Sequence, residues 1–188
     1  IEMWKNKRLK TTDEDNKMIR KIACAIPVLA LTFSVGANAA TFMDAQWASQ
    51  MCNAWNKSDL TAKLGGEAWA SNNAGRGYKV IHLYREKCGP KSKVELEISD
   101  KDGKAHCSYG GAVKHAKLNS DVDYLMHATD EDWTCMGKGS FGCGAMGAMT
   151  TGKLKFKGPK MEAMGVMGPF DGFLVLTGKV AGDKASCP

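Results

Sequence analysis

The sequence is poor in the patterns on which common catalytic and metal sites depend. It contains only four histidines, and none has the H-E-x-x-H spacing of a zinc hydrolase. Neither C-x-x-C nor C-x-x-C-H occurs, which argues against a thioredoxin-like redox centre and attached haem. Internal repeats and low-complexity tracts are also missing. We therefore expect no catalytic residue, no metal site and no cofactor.

Two segments come close to catalytic motifs and fail. Residues 147–153 nearly spell a phosphate-binding loop, but Leu154 stands where a Ser or Thr must hold magnesium. The segment around Ser140 misses the nucleophile elbow because Lys138 replaces its first glycine. The acidic run 130–132 follows Thr129, and a helix N-terminus explains these carboxylates without any chemistry.

Long hydrophobic runs are scarce as well. The apolar run 22–35 has 14 residues and contains Pro27, whereas a membrane span needs about 20 apolar residues. Arg20 and Lys21 precede it and Ala37-Asn38-Ala39 follows, which is the pattern of a secretory signal. We expect residues 1–39 to be an N-terminal extension and signal that is removed, with Met18 as the true start. An uncleaved anchor is the alternative.

Removal of this segment changes the charge balance. The first 39 residues hold seven Lys or Arg and four Asp or Glu, which leaves 19 basic and 16 acidic residues and a net charge of +3. This small excess is spread along the chain, so we expect no nucleic-acid partner. The remaining 149 residues suffice for one domain, in which 40–77 is a helical segment and 78–188 is the core.

The sequence has seven cysteines, of which Cys24 lies in the predicted signal. The other six remain in the exported chain, and an even number favours a disulfide framework. We predict three bridges among Cys52, Cys88, Cys107, Cys135, Cys143 and Cys187. Cys135 with Cys143 closes the shortest loop, and Cys187 could bind the tail to Cys52 or Cys88. The bridges and the signal together predict a periplasmic or secreted protein.

The hydrophobic periodicity predicts helices and strands in turn. Apolar positions from Met43 to Trp55 recur every three to four residues, which predicts a helix capped by Thr41. A short helix should cover 59–64 and end at two glycines. Strands are predicted over 78–84, 94–98, 105–109 and 122–128, with a hairpin turn at Lys101-Asp102-Gly103. Antiparallel pairing is the simplest topology for them.

The C-terminal part alternates helices with one more strand. A helix should begin after Thr129, and the glycine-rich segment 137–152 should form only a weak one. In the strand 152–158, Leu154 and Phe156 should face the core while the lysines between them face water. A methionine-rich helix follows, and Gly168-Pro169 should end it and begin another.

This C-terminal block resembles the sterol carrier protein 2 (SCP2) family. The resemblance covers roughly residues 92–167 and depends on Asp130 to Trp133, Gly137-Lys138, Ala148 to Gly152, Lys153 to Gly158 and Met161 to Met164. It implies an α+β fold with a five-stranded, mainly antiparallel sheet covered by helices around an apolar tunnel. It also implies a carrier of a sterol, hopanoid, fatty acyl chain or quinone that performs no chemistry and contacts membranes transiently.

Methionine side chains are flexible and polarizable, so a wall of them can repack around ligands of varied shape. We expect the tunnel to be lined by Trp133, Met136, Phe141, Met146, Met149, Leu154, Phe156, Met161, Met164, Met167, Phe170 and Phe173.

Two other functions remain open. The thioethers of Met161, Met164 and Met167 could bind Cu(I), which prefers soft ligands. A structural subunit of an envelope assembly could instead present Trp47, Trp55 and Trp69 to a partner. The oligomeric state stays open too.

Overall fold

The computed structural model describes residues 40–188, so the predicted signal and extension lie outside the described residues. Five strands form one sheet: β1 (Tyr78–Arg85), β2 (Val94–Lys101), β3 (Lys104–Ala112), β4 (Tyr124–Ala128) and β5 (Lys155–Lys157). Their spatial order is β3-β2-β1-β4-β5. Six α-helices accompany them: α1 (Ala45–Asn56), α2 (Leu60–Lys63), α3 (Asp130–Gly137), α4 (Ala145–Thr150), α5 (Lys160–Gly165) and α6 (Met167–Lys179). The predicted α+β class with a mainly antiparallel sheet is confirmed.

One strand pairing differs from the expectation. Strand β4 runs parallel to β1, while the other three neighbouring pairs are antiparallel. The chain leaves β3 at one edge and crosses the sheet before it enters β4 on the far side of β1. In the crossing segment, the backbone N–H of His115 donates to Glu95 of β2 at 2.8 Å. A crossover that runs the length of the sheet returns the next strand in a parallel direction.

The alternation along β1 divides its side chains between two faces. Lys79, Ile81, Leu83 and Arg85 share the face that the helices cover, and all four are buried. His82 points to the other face, where Glu95 and the crossing segment meet it. Strand β1 is therefore buried on both faces and carries two cations into the core.

The predicted hairpin joins β2 to β3. Asp102 and Gly103 have φ values of 51° and 69°, the left-handed pair of a type I′ turn. Glycine accepts this conformation without the steric cost that a side chain adds.

Two helix ends differ from the sequence-based prediction. Asp44, not Thr41, caps α1, because its carboxylate accepts from the backbone N–H of Trp47 at 2.6 Å. The break before α6 lies at Val166, not at Gly168-Pro169. Pro169 fits in the first turn of α6, where backbone N–H groups have no partner within the helix.

The tryptophans occupy the core. Trp47, Trp55 and Trp69 are 0%, 1% and 4% exposed, so none of them offers a surface to a partner. The hypothesis of a structural subunit that docks through these three residues is therefore wrong. Their indole N–H groups are hydrogen-bonded inside the protein, to Val180 O, Ala105 O and the Tyr124 hydroxyl respectively.

All six cysteines among residues 40–188 form disulfides, as predicted. Cys135 pairs with Cys143, Cys88 with Cys187 and Cys52 with Cys107. These bridges fit an oxidising compartment. Among residues 40–188, no helix combines the length and the apolar character needed to cross a bilayer.

Candidate ligand-binding site

An apolar cavity lies between the sheet and the helices, and its volume is about 40 Å³. Strands supply Ile81, Tyr124, Met126 and Phe156, which alternate with outward residues on β1, β4 and β5. Helices and connecting segments supply the rest of the wall: Trp55, Leu64, Trp69, Ala163, Val166, Phe170 and Phe173. The lining is rich in aromatic rings.

The aromatic rings of this wall contact one another in a chain. Trp69 and Tyr124 have ring centroids 5.7 Å apart, and Trp55 and Phe173 are 5.8 Å apart. Phe156 and Phe170 are 5.9 Å apart. Such edge-to-face and tilted pairs stabilise the aromatic wall of the cavity.

A second apolar space is an open groove of about 260 Å³. Its lining is mostly thioether and aliphatic, with one lysine: Met146, Met149, Thr150, Leu154, Phe156, Lys160, Met164 and Met167. Phe156 borders both the groove and the cavity.

Helix α5 stands between the two spaces. Its Ala163 lines the cavity, whereas Lys160 and Met164 line the groove. Ala163 is the one buried residue of this helix, and Met161 is 80% exposed. A six-residue helix with one buried side chain adds little apolar contact to the fold. Helix α5 thus covers the cavity with little apolar contact of its own.

A polar cluster lies beside the cavity, at the beginning of β1. The Lys79 ammonium donates to both carboxylate oxygens of Glu162, at 2.7 and 2.8 Å. The Tyr124 hydroxyl donates to the same carboxylate and accepts from the Trp69 indole N–H at 2.8 Å. The Asn72 amide also donates to Glu162, at 2.7 Å. This cluster attaches α5 to the sheet.

Burial sets the protonation chemistry of the cluster. Loss of solvent lowers the pKa of the Lys79 ammonium, and the hydrogen bonds to Glu162 oppose this shift. Burial raises the pKa of Tyr124, helped by its hydrogen bond to Glu162, so the phenol stays protonated and remains a donor at neutral pH. The Lys79 ammonium also lies 4.4 Å from the Trp69 ring centroid, which favours its charged form.

The other cation of β1 is held differently. Arg85 donates through Nε and Nη2 to the two carboxylate oxygens of Asp130, each at 2.6 Å. It also donates to the carbonyl oxygens of Lys184 and Ser186. Arg85 therefore fixes α3 and the C-terminal tail, far along β1 from the cavity.

Two histidines meet one buried carboxylate on the opposite face of the sheet. Glu95 lies 3.1 Å from His82 Nε2 and 2.7 Å from His115 Nδ1. Glu95, Glu97 and His115 offer ligand atoms within 4.8 Å of one another. However, backbone N–H groups of Lys114 and His115 and the hydroxyl of Ser108 already bind these carboxylates. The cluster joins the crossing segment to the sheet.

The predicted tunnel residues fall into four groups. Phe156, Phe170 and Phe173 line the cavity, and Met146, Met149, Leu154, Phe156, Met164 and Met167 line the groove. Trp133 and Met136 are 1% exposed and lie in the core away from both spaces. Phe141 and Met161 project into solvent. One continuous tunnel stays a prediction.

The prediction missed the part of the wall that the sheet and the N-terminal helices provide. Ile81, Tyr124 and Met126 occupy inward positions of predicted strands, so strand alternation could have identified them. Nothing in the local sequence around Trp55 or Trp69 indicates that they meet the C-terminal helices. These contacts depend on how distant elements pack.

The proposed copper ligands do not lie on one helical face. Met161 and Met164 belong to α5 and Met167 opens α6, beyond the break at Val166. Met161 points to solvent while Met164 and Met167 line the groove. This arrangement does not favour a Cu(I) site.

The fold and the site together define an α+β protein with a covered apolar cavity. Comparison with family models and with curated proteins found no match. Among solved structures, the chain resembles sterol carrier protein 2, with 19% identity, a TM-score of 0.49, and coverage of 74% of this chain and 98% of the other.

Two further structures are similar. One is a conserved hypothetical protein of Thermus thermophilus, suggested to be a sterol carrier protein, with 20% identity, a TM-score of 0.44, and coverage of 79% of this chain and 96% of the other. The other is sterol carrier protein 2 of Yarrowia lipolytica in its apo form, with 21% identity, a TM-score of 0.32, and coverage of 69% and 80%. The resemblance predicted from the sequence agrees with these findings.

Proposed function

We propose that the protein binds and carries an apolar lipid, which enters the space between the sheet and the C-terminal helices when α5 moves. The observation that supports this function best is the position of α5 between a cavity with a buried aromatic wall and a groove with partly exposed methionines. Both spaces are apolar, and Phe156 borders both. The ligand classes are those expected from the sequence: a sterol, a hopanoid, a fatty acyl chain or a quinone.

Movement of α5 is a necessary part of this proposal. The cavity of about 40 Å³ is far smaller than the roughly 300–1,000 Å³ of small-molecule sites. The groove, at about 260 Å³, approaches that range. Joining the two spaces makes room for a lipid chain, and apolar burial of about 25 cal/mol per Å² would drive its binding. No chemistry on the ligand is needed.

Native mass spectrometry before and after organic extraction tests the proposal. We expect a lipid adduct in the purified protein, or uptake of a fluorescent fatty acid by the extracted protein.

Ala163→Phe fills the cavity and should weaken uptake at least about tenfold, because burial of the ligand is lost. Met161→Phe, on the exposed face of the same helix, is the matched control and should bind normally. A protein that shows neither adduct nor uptake would refute the function.

A further inference from the structure

The Glu162 carboxylate receives an unusual number of donors for a side chain on a short surface helix. The Lys79 ammonium, the Tyr124 hydroxyl and the Asn72 amide all donate to it. Charge-assisted hydrogen bonds of this kind are roughly twice as strong as neutral ones. Together, these donors form a site for one carboxylate.

The donors belong to the body of the protein, whereas the carboxylate belongs to the cover. Lys79 is on β1 and Tyr124 on β4, and Lys79 is 0% exposed. The Trp69 indole orients the Tyr124 hydroxyl from behind. Glu162 comes from α5, whose one buried side chain is Ala163. The donor set would therefore stay in place if α5 moved.

An empty donor set would be costly. The Lys79 ammonium would then keep its hydrogen bond to the Trp69 carbonyl oxygen, at 3.4 Å, and its contacts with the Trp69 and Tyr124 rings, but it would lose its carboxylate partner. An unpaired charge in such surroundings is strongly destabilising. Opening of α5 would therefore favour the binding of another anion by the same donors.

The site also adjoins the cavity. Trp69 and Tyr124 line the cavity with their rings and take part in the polar cluster with their N–H and O–H groups. An apolar chain lying against these rings would bring its end to the Lys79 ammonium. A chain that ends in a carboxylate satisfies both parts of the site.

We infer that Glu162 occupies a built-in carboxylate site and that the head group of a long-chain fatty acid replaces it there when α5 opens. This inference rests on the proposed function and narrows its ligand. Exchange of one carboxylate for another keeps the charge of Lys79 neutralised throughout. The protein is then selective for acids over esters of the same chain.

Paired titrations with palmitic acid and methyl palmitate test the inference, with displacement of a fluorescent lipid as the readout. The unmodified protein should bind the acid about tenfold tighter or more, since a hydrogen bond to a charged group is worth that ratio. Glu162→Gln removes the internal competitor and should strengthen acid binding about tenfold further, with little change for the ester.

Removal of the cation should abolish the preference. The double variant Lys79→Met/Glu162→Gln replaces the buried pair by neutral side chains, a change that proteins often tolerate. It should bind acid and ester alike. Asp130→Asn breaks the other ion pair of β1, distant from the cavity, and should keep the selectivity of the unmodified protein.

The outcomes separate the inference from the function. Binding of both ligands with no dependence on Lys79 or Glu162 would overturn the carboxylate site and leave lipid carriage intact. The unmodified protein and its variants could also bind neither ligand while their near-ultraviolet circular dichroism shows that they are folded. That result would overturn lipid carriage itself. Ester preferred over acid would also refute the inference.

Discussion

The two cations on the core face of β1 show how side chains of the same charge can serve two purposes. Arg85 forms a bidentate pair with Asp130 and donates to two carbonyls of the tail, so all its partners are fixed. Lys79 binds a carboxylate on a short cover helix. The planar guanidinium suits a permanent contact, while a lysine ammonium accepts partners from several directions. The fixed pair stabilises the fold, and the other pair is the one that the proposed movement of α5 would open.

Asp130 should make stability depend on pH. The hydrogen bonds from Arg85 lower the pKa of this carboxyl below its ordinary value of 3.8. A carboxyl with a lower pKa in the folded state adds stability above its unfolded pKa, and this stability is lost as the pH falls through the folded value. Asp130→Asn should cost about 3 kcal/mol at pH 7, because Arg85 stays buried without its partner.

Urea unfolding between pH 7 and pH 2 measures this effect. The free energy of unfolding of the unmodified protein should fall below about pH 4, and the difference from Asp130→Asn should shrink in the same range. Asp59→Asn is the control, because the Asp59 pair with Lys63 is exposed and contributes little. A constant difference between the two proteins at every pH would contradict the assignment.

The sequence alone predicted only part of how the charged side chains of β1 are buried and paired. The predicted strand over 78–84 contains Lys79, but a lysine within a strand is usually solvent-exposed, and no local pattern shows its burial. Its partner Glu162 lies 83 residues away. The pairing depends on the order of the strands and on the fold of the C-terminal helices. Thr129, by contrast, was predicted as a cap because capping is local, and its hydroxyl accepts from the Asp132 N–H.

Among the elements, α1 and β3 approach each other closely enough to require glycine. A Cβ built on Gly110 would lie 2.7 Å from Cys52 Cβ and would also collide with the Ala48 carbonyl. The Cys52–Cys107 bridge joins the same two elements. Gly110→Ala should therefore push α1 away from the sheet and lower the free energy of unfolding by about 1–3 kcal/mol.

Gly168→Ala is the matched control for that substitution. Gly168 lies in the first turn of α6 with open space around it, so alanine should be neutral or stabilising. Chemical denaturation of both variants decides the point. Equal stability of Gly110→Ala and the unmodified protein would show that α1 has room to shift.

The position of α5 illustrates what periodicity can and cannot predict for elements. Alternating apolar residues correctly predicted β2 and β5, although β5 covers only Lys155–Lys157 of the predicted 152–158. The methionines at spacing three predicted one helix through Met167, but Val166 divides it. In the short helix that results, Met161 points to solvent and Met164 is half-exposed at the groove. Periodicity identifies an apolar face but not the surface that covers it.

Hydrogen exchange should reveal the sparse apolar packing of α5. Its amides should exchange faster than those of α1, which buries Trp47, Met51 and Trp55. Saturation with palmitic acid should change the protection of residues 160–165 more than that of α1. Equal protection of the two helices would argue against a movable cover.

In the molecule as a whole, the disulfides close loops of very different length. Cys88–Cys187 spans 99 residues and fixes the C-terminal tail, whereas Cys135–Cys143 spans 8. A longer loop removes more entropy from the unfolded chain. The variant Cys88→Ser/Cys187→Ser should lose about 2–5 kcal/mol, and Cys135→Ser/Cys143→Ser should lose less. Urea unfolding ranks the two, and the reverse order would refute the loop argument.

We expect the predicted transient contact with membranes at the edge of the sheet where the groove opens. Lys155 and Lys157 are exposed on the edge strand β5, and Met164 is 49% exposed at the groove. Each lysine near an anionic bilayer adds about 1 kcal/mol of attraction. Lys155→Glu/Lys157→Glu should therefore weaken binding to phosphatidylglycerol vesicles at least about tenfold.

The opposite edge of the sheet supplies the control for this prediction. Lys101 and Lys104 are also exposed, beside the hairpin turn between β2 and β3, and their reversal to Glu changes the net charge by the same amount. If net charge alone drives binding, both double variants lose it equally, which contradicts a directed contact. If the β5 edge faces the bilayer, Lys101→Glu/Lys104→Glu still sediments with the vesicles. The groove and the cover helix α5 then meet the membrane from which a lipid is taken.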